Sequence, residues 1–284
     1  MIAITGATGQ LGRLVLQNLL KTVPASQIVA AVRSPEKAAD LAALGLQVRQ
    51  ADYAQPATLE AAFQGVDKLL LISSSEVGQR ASQHAAVIAA AQKAGVKLLA
   101  YTSLLRADTS PLGLAAEHKE TEAMLSASGL PFVLLRNGWY TENYTGSVGA
   151  AVQYGAVMGS AKDGRIASAA RADYAAAAAA GLTKDDQAGQ VYELAGDTAY
   201  TLPELAAEIA RQSGKPVVYR DMPEAEYKAA LMQVGLPEGF AALLADSDVG
   251  ASKGGLFDDG HQLSQLIGRP TTPLADVVKA ALVA

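Results

Sequence analysis

The 284-residue sequence contains no cysteine. Disulfides, thiolate metal sites, iron–sulfur clusters and cysteine nucleophiles are therefore excluded. Histidine is nearly as scarce: His84, His118 and His261 stand far apart in the chain, which leaves little material for a zinc or iron site, and no metal is expected. Aromatic residues make up only 5% of the chain, which with abundant alanine favours helices packed closely on a sheet over an all-β sandwich. Positive charge is in deficit, with 23 Lys and Arg against 28 Asp and Glu and a formal net charge of −5. No basic cluster occurs, so neither nucleic acid nor an anionic membrane surface is an expected partner. The longest run of small apolar residues, Ala175 to Gly181, falls far short of the ~20 needed to cross a bilayer, and membrane insertion is not expected. Met1 to Gly6 lack the basic region and apolar stretch of an export signal, which points to a cytoplasmic location.

What the chain does have is a large apolar fraction, 50% hydrophobic residues, enough to bury a core in one large domain or one and a half. The N-terminal half alternates short β-branched runs with helical patterns, the mark of a doubly wound α/β parallel sheet. Strands are expected at Ile2–Thr5, Gln27–Val32, Leu46–Gln50, Lys68–Ser73, Lys97–Thr102 and Phe132–Arg136. Between the first two, Leu11, Val15 and Leu19 line one helical face that Leu16 and Leu20 widen. Pro35 and Pro56 open further helices, and Gly95 closes a longer one that starts at Gly78. Beyond Arg136 the alternation fails. Helical patterns at 141–154, 172–182, 203–212, 224–234 and 274–282, with short strands near 191–195 and 217–219, suggest a smaller C-terminal α/β lobe partly fused to the sheet. Residues 1–140 are thus expected to form a dinucleotide-binding Rossmann domain and 141–284 a substrate-side lobe. Gly250 to Gly255 reads as a glycine-rich loop, a connector or a flap.

Directly after the first strand comes Thr5-Gly6-Ala7-Thr8-Gly9-Gln10-Leu11-Gly12. Glycines let such a turn tighten, and the free N–H groups of the following helix donate to a pyrophosphate. The spacing Gly6-x-x-Gly9-x-x-Gly12 matches the pattern of extended short-chain dehydrogenase/reductases. At the end of the second strand, where an NAD-selective protein places Asp or Glu, stands Arg33, 21 residues beyond Gly12. A guanidinium binds a 2′-phosphate bidentately, so NADP(H) is the expected cofactor. Ser73, Ser74 and Ser75 end the fourth strand, where hydroxyls and backbone donors would border the nicotinamide ribose and phosphates. Asp52, after the third strand, is placed either to touch the adenine or to cap its own turn.

With this turn and Arg33, the stretch Leu134-Leu135-Arg136-Asn137-Gly138-Trp139-Tyr140-Thr141-Glu142-Asn143 resembles the NmrA-like branch of the atypical short-chain dehydrogenase/reductases. The segments Ser73 to Arg80 and Asp246 to Phe257 are similar to the bacterial NADPH-dependent quinone oxidoreductase 2 type, and more distantly to triphenylmethane dye reductases. The resemblance covers essentially the whole chain. It implies NADPH contacts from Gly6, Ala7, Thr8, Gly9, Gln10 and Leu11, from Arg33, from Ser73 to Ser75, and from Asn137, Gly138, Trp139, Tyr140, Thr141 and Glu142. It places Tyr140 and Asn143 near an incoming small-molecule quinone and leaves room for a homo-oligomer.

Better-known members of the superfamily use a Ser with Tyr-x-x-x-Lys. Ser103 holds the serine position here, but, anchored on Glu122, Leu114 stands for the tyrosine and His118 for the lysine. Lys119 is one position off, about 100° around the helix. A quinone, whose reduced anion is resonance-stabilised, can accept hydride through proximity alone, with protons from water or His118. His118 and Ser103 are accordingly the candidate catalytic residues, each with a bland alternative: a solvated helix histidine and a strand-end cap. A different reading of the same losses is an NADP(H)-sensing regulator of the NmrA kind that binds cofactor without turnover, or a reductase of triphenylmethane dyes and other xenobiotics. Asp173 is expected to cap the alanine-rich helix, and Asp258-Asp259 to form a solvated turn.

Overall fold

The computed structural model describes residues 1–76 and 78–283; Val77, within the compared segment Ser73 to Arg80, and Ala284, the end of the expected lobe, lie outside the described residues. Among the described residues there are nine strands: β1 (Ile2–Thr5), β2 (Ile28–Val32), β3 (Gln47–Gln50), β4 (Lys68–Leu71), β5 (Leu98–Leu104), β6 (Phe132–Asn137), β7 (Ala156–Gly159), β8 (Val191–Leu194) and β9 (Val218–Asp221). Seven form one sheet in the order β3-β2-β1-β4-β5-β6-β8, while β7 pairs separately with β9. Strands β1 to β6 run parallel throughout. The order reverses between β1 and β4, and in open α/β sheets ligands gather at the carboxyl ends of the strands on either side of such a reversal.

Strands buried on both faces should be continuous apolar runs, and β2, Ile-Val-Ala-Ala-Val, is buried at every residue. So is β5, although it carries Tyr101, Thr102 and Ser103, whose polar atoms must therefore find partners inside. The helix Gln10–Leu19 buries Leu11, Val15, Leu16 and Leu19, the expected face. Under the sheet Phe63, Leu69, Leu71, Leu99 and Tyr101 pack with Leu125 in one cluster.

Several expectations are corrected. Pro35 starts a 3₁₀ turn, Pro35–Ala38, before the short helix Ala39–Ala43. The pattern at 141–154 divides at Gly146 and Ser147 into Glu142–Thr145 and Val148–Tyr154. The glycine-rich loop begins as helix: Gly250, Ala251 and Ser252 end the fifteen-residue helix Glu238–Ser252. Gly250 serves there as a flat contact, since a Cβ would stand 2.8 Å from Leu112 Cδ1. That helix, Gln262–Ile267 and β7 had no counterpart in the sequence reading.

The chain forms two compact units. One takes Met1–Leu104, Ala116–Asn137 and Tyr174–Tyr192; the other takes Leu105–Ala115, Gly138–Asp173 and Glu193–Ala284. In the second, carboxylates tie distant segments together, Asp173 and Asp248 from buried positions. Asp246 accepts from the Gly113 N–H at 2.8 Å. Asp173 does not cap its helix; it accepts from the Thr272 N–H at 2.8 Å and pairs with Arg269 at 2.7 Å. Asp258 pairs with Arg106 at 3.0 Å, with only 11% of its side chain exposed, so of the pair expected to be solvated only Asp259 is exposed. Asp248, 2% exposed, accepts from Tyr144 Oη and from the Ser160 N–H, both at 2.9 Å.

Burial pushes the Asp248 carboxyl up to about 6. A native pKa above the unfolded value means that the folded chain binds the proton first, so this group adds stability as pH falls through 6 and its contribution is complete below the unfolded pKa near 4. Asp248→Asn is expected to lose that gain: its destabilisation relative to wild type should grow by about 2 kcal/mol between pH 7 and pH 4.5. Urea unfolding of both proteins at the two pH values checks this.

Candidate functional site

The turn after β1 is built on close backbone approach. Gly6 has φ +59°, a left-handed conformation that costs glycine little, and its carbonyl accepts from the Gly9 N–H at 2.9 Å. A Cβ on Gly12 would stand 2.4 Å from the Gly6 oxygen and 2.8 Å from Ala7 Cα, so only glycine lets the helix start so near the strand. Ala7, Leu11 and Gly12 are buried and Thr8 half-buried, while Gly6, Gly9 and Gln10 are exposed. The helix Gln10–Leu19 has no side-chain cap and no acid in its first turn, so its leading N–H groups and positive dipole end are available to an anion.

Beneath the turn, Thr5 Oγ1 donates to Leu70 O at 3.1 Å and accepts from the Ile72 N–H at 3.0 Å. Tyr53 Oη lies 2.6 Å from the same oxygen and 3.0 Å from Ile72 O. This knot locks β1, β4 and the loop after β3, and burial holds the Tyr53 phenol well above its ordinary value. No motif pointed to Tyr53. Asp52, one residue earlier, accepts from the Ala54 N–H at 3.0 Å and from Gln55 Nε2 at 2.9 Å, the arrangement of a turn cap.

Arg33 extends from the end of β2 with 68% of its side chain exposed and pairs with Glu76 at 3.0 Å. Glu76 Oε2 also accepts from Gln83 Nε2 at 2.8 Å. Because β2 and β4 flank β1, this ion pair joins the two loops on either side of the glycine turn. The Ser73–Ser75 loop is held from inside. The Ser73 N–H donates to Thr102 Oγ1 at 2.9 Å and the Ser74 N–H to His84 Nε2 at 3.0 Å. Arg80 Nε donates to Ser74 O at 2.6 Å, and Ser75 is exposed. The sequence treats His84 as structural and gives Arg80 no role of its own, because both contacts close only when the chain folds back on itself.

The expected catalytic residues are engaged otherwise. Ser103 Oγ donates to Glu122 Oε1 at 2.5 Å, and Arg136 grips the same carboxylate through Nε at 3.0 Å and Nη2 at 2.7 Å. His118, 6% exposed, lies with Nδ1 2.7 Å from Tyr101 Oη. Burial, then the Arg80 charge and His84, push its pKa down to about 3. Burial pushes the Tyr101 phenol up to about 12. The two therefore meet as neutral groups sharing one hydrogen bond, and at neutral pH His118 has no imidazolium proton to give. Nor is it the solvated histidine of the bland alternative. Lys119, the next residue, is exposed.

At the end of β6, Asn137 is 7% exposed and its Oδ1 has no hydrogen-bond partner among the described residues; Ser73 Oγ is likewise buried without one among them. In the second unit, the Gly138 N–H donates to Leu194 O at 2.8 Å. Trp139 and Thr141 are buried, and Thr141 Oγ1 joins Ser168 Oγ at 2.8 Å, which joins Tyr200 Oη at 2.7 Å. Both Glu142 oxygens accept from the Arg171 N–H, at 2.9 and 3.0 Å, so Glu142 supplies the cap once expected of Asp173. Tyr140 and Asn143 are half-buried, with the Arg171 guanidinium 4.6 Å above the Tyr140 ring.

A glycine cradle with no room for a Cβ at Gly12, an uncapped helix start, a guanidinium at the end of β2 and a buried amide oxygen without a partner among the described residues at the end of β6 fit a phosphorylated dinucleotide. Residues 6–185 match the family described as NAD(P)H-binding. The chain is 66% identical over 278 residues to quinone oxidoreductase 2 of Escherichia coli K12, covering 98% of this chain and 97% of that protein. A solved structure of the NADPH-dependent quinone oxidoreductase of Escherichia coli complexed with NADPH matches with a TM-score of 0.97 at 65% identity, covering 99% of this chain and 100% of that one. The Citrobacter sp. triphenylmethane reductase complexed with NADP(H) matches with a TM-score of 0.95 at 42% identity, covering 99% and 100%. Among the described residues no helix is long and apolar enough to cross a membrane.

Gly12→Ala must push helix and turn apart. The expected outcome is NADPH affinity at least tenfold weaker, on the order of the 1–3 kcal/mol that overpacking costs. Fluorescence titration of NADPH measures it, with unfolding curves recorded alongside to separate local from global damage.

Proposed function

Because this chain belongs to the NAD(P)H-binding family, we propose that it is an NADPH-dependent quinone oxidoreductase that reduces a small-molecule quinone to the hydroquinone without a tyrosine–lysine acid–base pair. Bound NADPH supplies the hydride. The chain's own contribution is to hold and to exclude. The Gly6–Leu11 backbone receives the pyrophosphate, Arg33 the 2′-phosphate, and the Ser73–Ser75 loop the ribose and phosphates. Segment Asn137–Glu142 borders the nicotinamide, with Tyr140 and Asn143 on the acceptor side. In this reading residues 1–140 bind cofactor, residues 141–284 supply the acceptor lobe, and the protein is cytoplasmic.

The observation that carries the acceptor class is the state of the would-be acid–base centre. Leu114 replaces the tyrosine. His118 is neutral, buried and occupied by Tyr101. Ser103 gives its proton to a carboxylate already paired with Arg136. A ketone needs a proton at its oxygen as hydride arrives, whereas a quinone does not, because its reduced anion is delocalised and takes protons from water afterwards. The likeness to triphenylmethane reductase makes cationic dyes the second acceptor class to try.

Steady-state NADPH oxidation is expected with benzoquinones and naphthoquinones and not with simple aldehydes; binding of NADPH with no acceptor-dependent oxidation would make the protein a sensor instead. Arg33→Ala should raise KM for NADPH by roughly 10- to 100-fold, the worth of a charge-assisted contact, and leave NADH nearly unchanged. An equal loss with both cofactors would overturn the role given to Arg33.

A further inference from the structure

The buried histidine on the helix Arg80–Ala94 is placed in a way that packing alone does not require. His84 is 0% exposed, wedged between the edges of Tyr53 and Tyr101 with ring centroids 6.3 and 5.5 Å away. An aliphatic side chain would fill such a space without the cost of desolvating an imidazole. The imidazole instead serves a single peptide group. Its Nε2 accepts the Ser74 N–H at 3.0 Å, while Arg80, one helical turn earlier on the same face, donates from Nε to the Ser74 carbonyl at 2.6 Å. Donor and acceptor of one residue are thus held from two neighbouring positions of one helix.

The hydrogen bonds fix the tautomer. A peptide N–H can only donate, so Nε2 is bare and Nδ1 carries the proton, which goes to Thr121 Oγ1 at 2.9 Å. Thr121 in turn donates to Glu117 O at 3.0 Å. The Glu117 carboxylate closes the ring of contacts, accepting from the Gly78 N–H at 2.7 Å and pairing with Arg80 at 3.3 Å. Both ends of the segment from Ser74 to Gly78 are therefore referred to two helices through one uninterrupted chain of oriented groups.

We infer that His84 is a positioning residue for cofactor binding: through Ser74 it sets the course of the Ser73–Ser75 loop and thereby the affinity for NADPH, without touching the reacting atoms. The inference rests on the proposed contact between that loop and the cofactor. Its signature is a change in cofactor binding that is restored by any side chain offering an acceptor at the Nε2 position.

The test is NADPH affinity, by fluorescence titration with no quinone present, and KM against kcat for His84→Leu and His84→Gln. Leucine keeps the bulk and strands the Ser74 N–H; glutamine places an amide oxygen near the lost Nε2. The expected result is a Kd and a KM for NADPH about tenfold higher in the leucine variant, with kcat within about twofold, and values within about threefold of wild type for glutamine. Should the leucine protein fail to fold, His84→Asn, whose shorter amide reaches toward Thr121 and not Ser74, replaces it with the same expected rise. Equal NADPH affinity in the glutamine variant and its non-reaching partner overturns the inference, as does a loss of kcat or unfolding stability with Kd unmoved. Wild-type protein that binds NADPH and reduces no quinone removes the proposed acceptor and leaves this inference standing.

Discussion

The contact that everything in the first unit is measured from is the approach of Gly12 to the Gly6 carbonyl, where a Cβ would stand only 2.4 Å from the oxygen. It fixes the angle at which the first helix leaves β1, and so which of its residues reach the sheet. Leu11, Val15, Leu16 and Leu19 are buried because of that angle, and the leading N–H groups of the same helix face outward because of it. Packing and phosphate affinity are here two results of one missing methyl group. The Thr5–Tyr53 knot beneath the turn keeps strand and loops from drifting once the approach is made.

The second theme is how polar groups are spent. Within the first unit Tyr101, His84, His118, Ser103, Glu122 and Arg136 would serve as a proton-transfer apparatus in another arrangement. Here each is satisfied by a neighbour: phenol by imidazole, hydroxyl by carboxylate, carboxylate by guanidinium. A group whose hydrogen bonds are closed inside the protein stiffens its surroundings and gives up reactivity, since any proton movement would break a pairing that burial makes costly to lose. The interior of this unit is accordingly a positioning device.

The first six strands and the glycine turn were legible because they are local: the apolar runs, the period of the first helix and the Gly6-x-x-Gly9-x-x-Gly12 spacing are read within windows of a few residues. Arg33 was legible for the same reason, standing at the end of a recognisable strand. What escaped depends on meetings across the chain. Ser74 with His84, Glu142 with Arg171, and Ser103 with Glu122 and Arg136 leave no trace in spacing, because each pairing is made by topology and not by period. The helix Glu238–Ser252 escaped for another reason. Its Gly250, Asp246 and Asp248 are poor helix formers, and each is paid for by a tertiary partner, Leu112, Gly113 and Tyr144 with Ser160.

The ion pair between Arg33 and Glu76 has a consequence for selectivity. A guanidinium waiting for a phosphate with no counterion would bind any anion that came by. With Glu76 in place, a 2′-phosphate received by Arg33 as proposed exchanges one anionic partner for another, so its gain is the difference between two exposed ion pairs and not the making of one. A doubly charged phosphate wins that exchange and a hydroxyl cannot. On that proposed role of Arg33 the ion pair lowers the affinity for NADPH and its advantage over NADH together, which suits a cofactor that has to leave after every turnover.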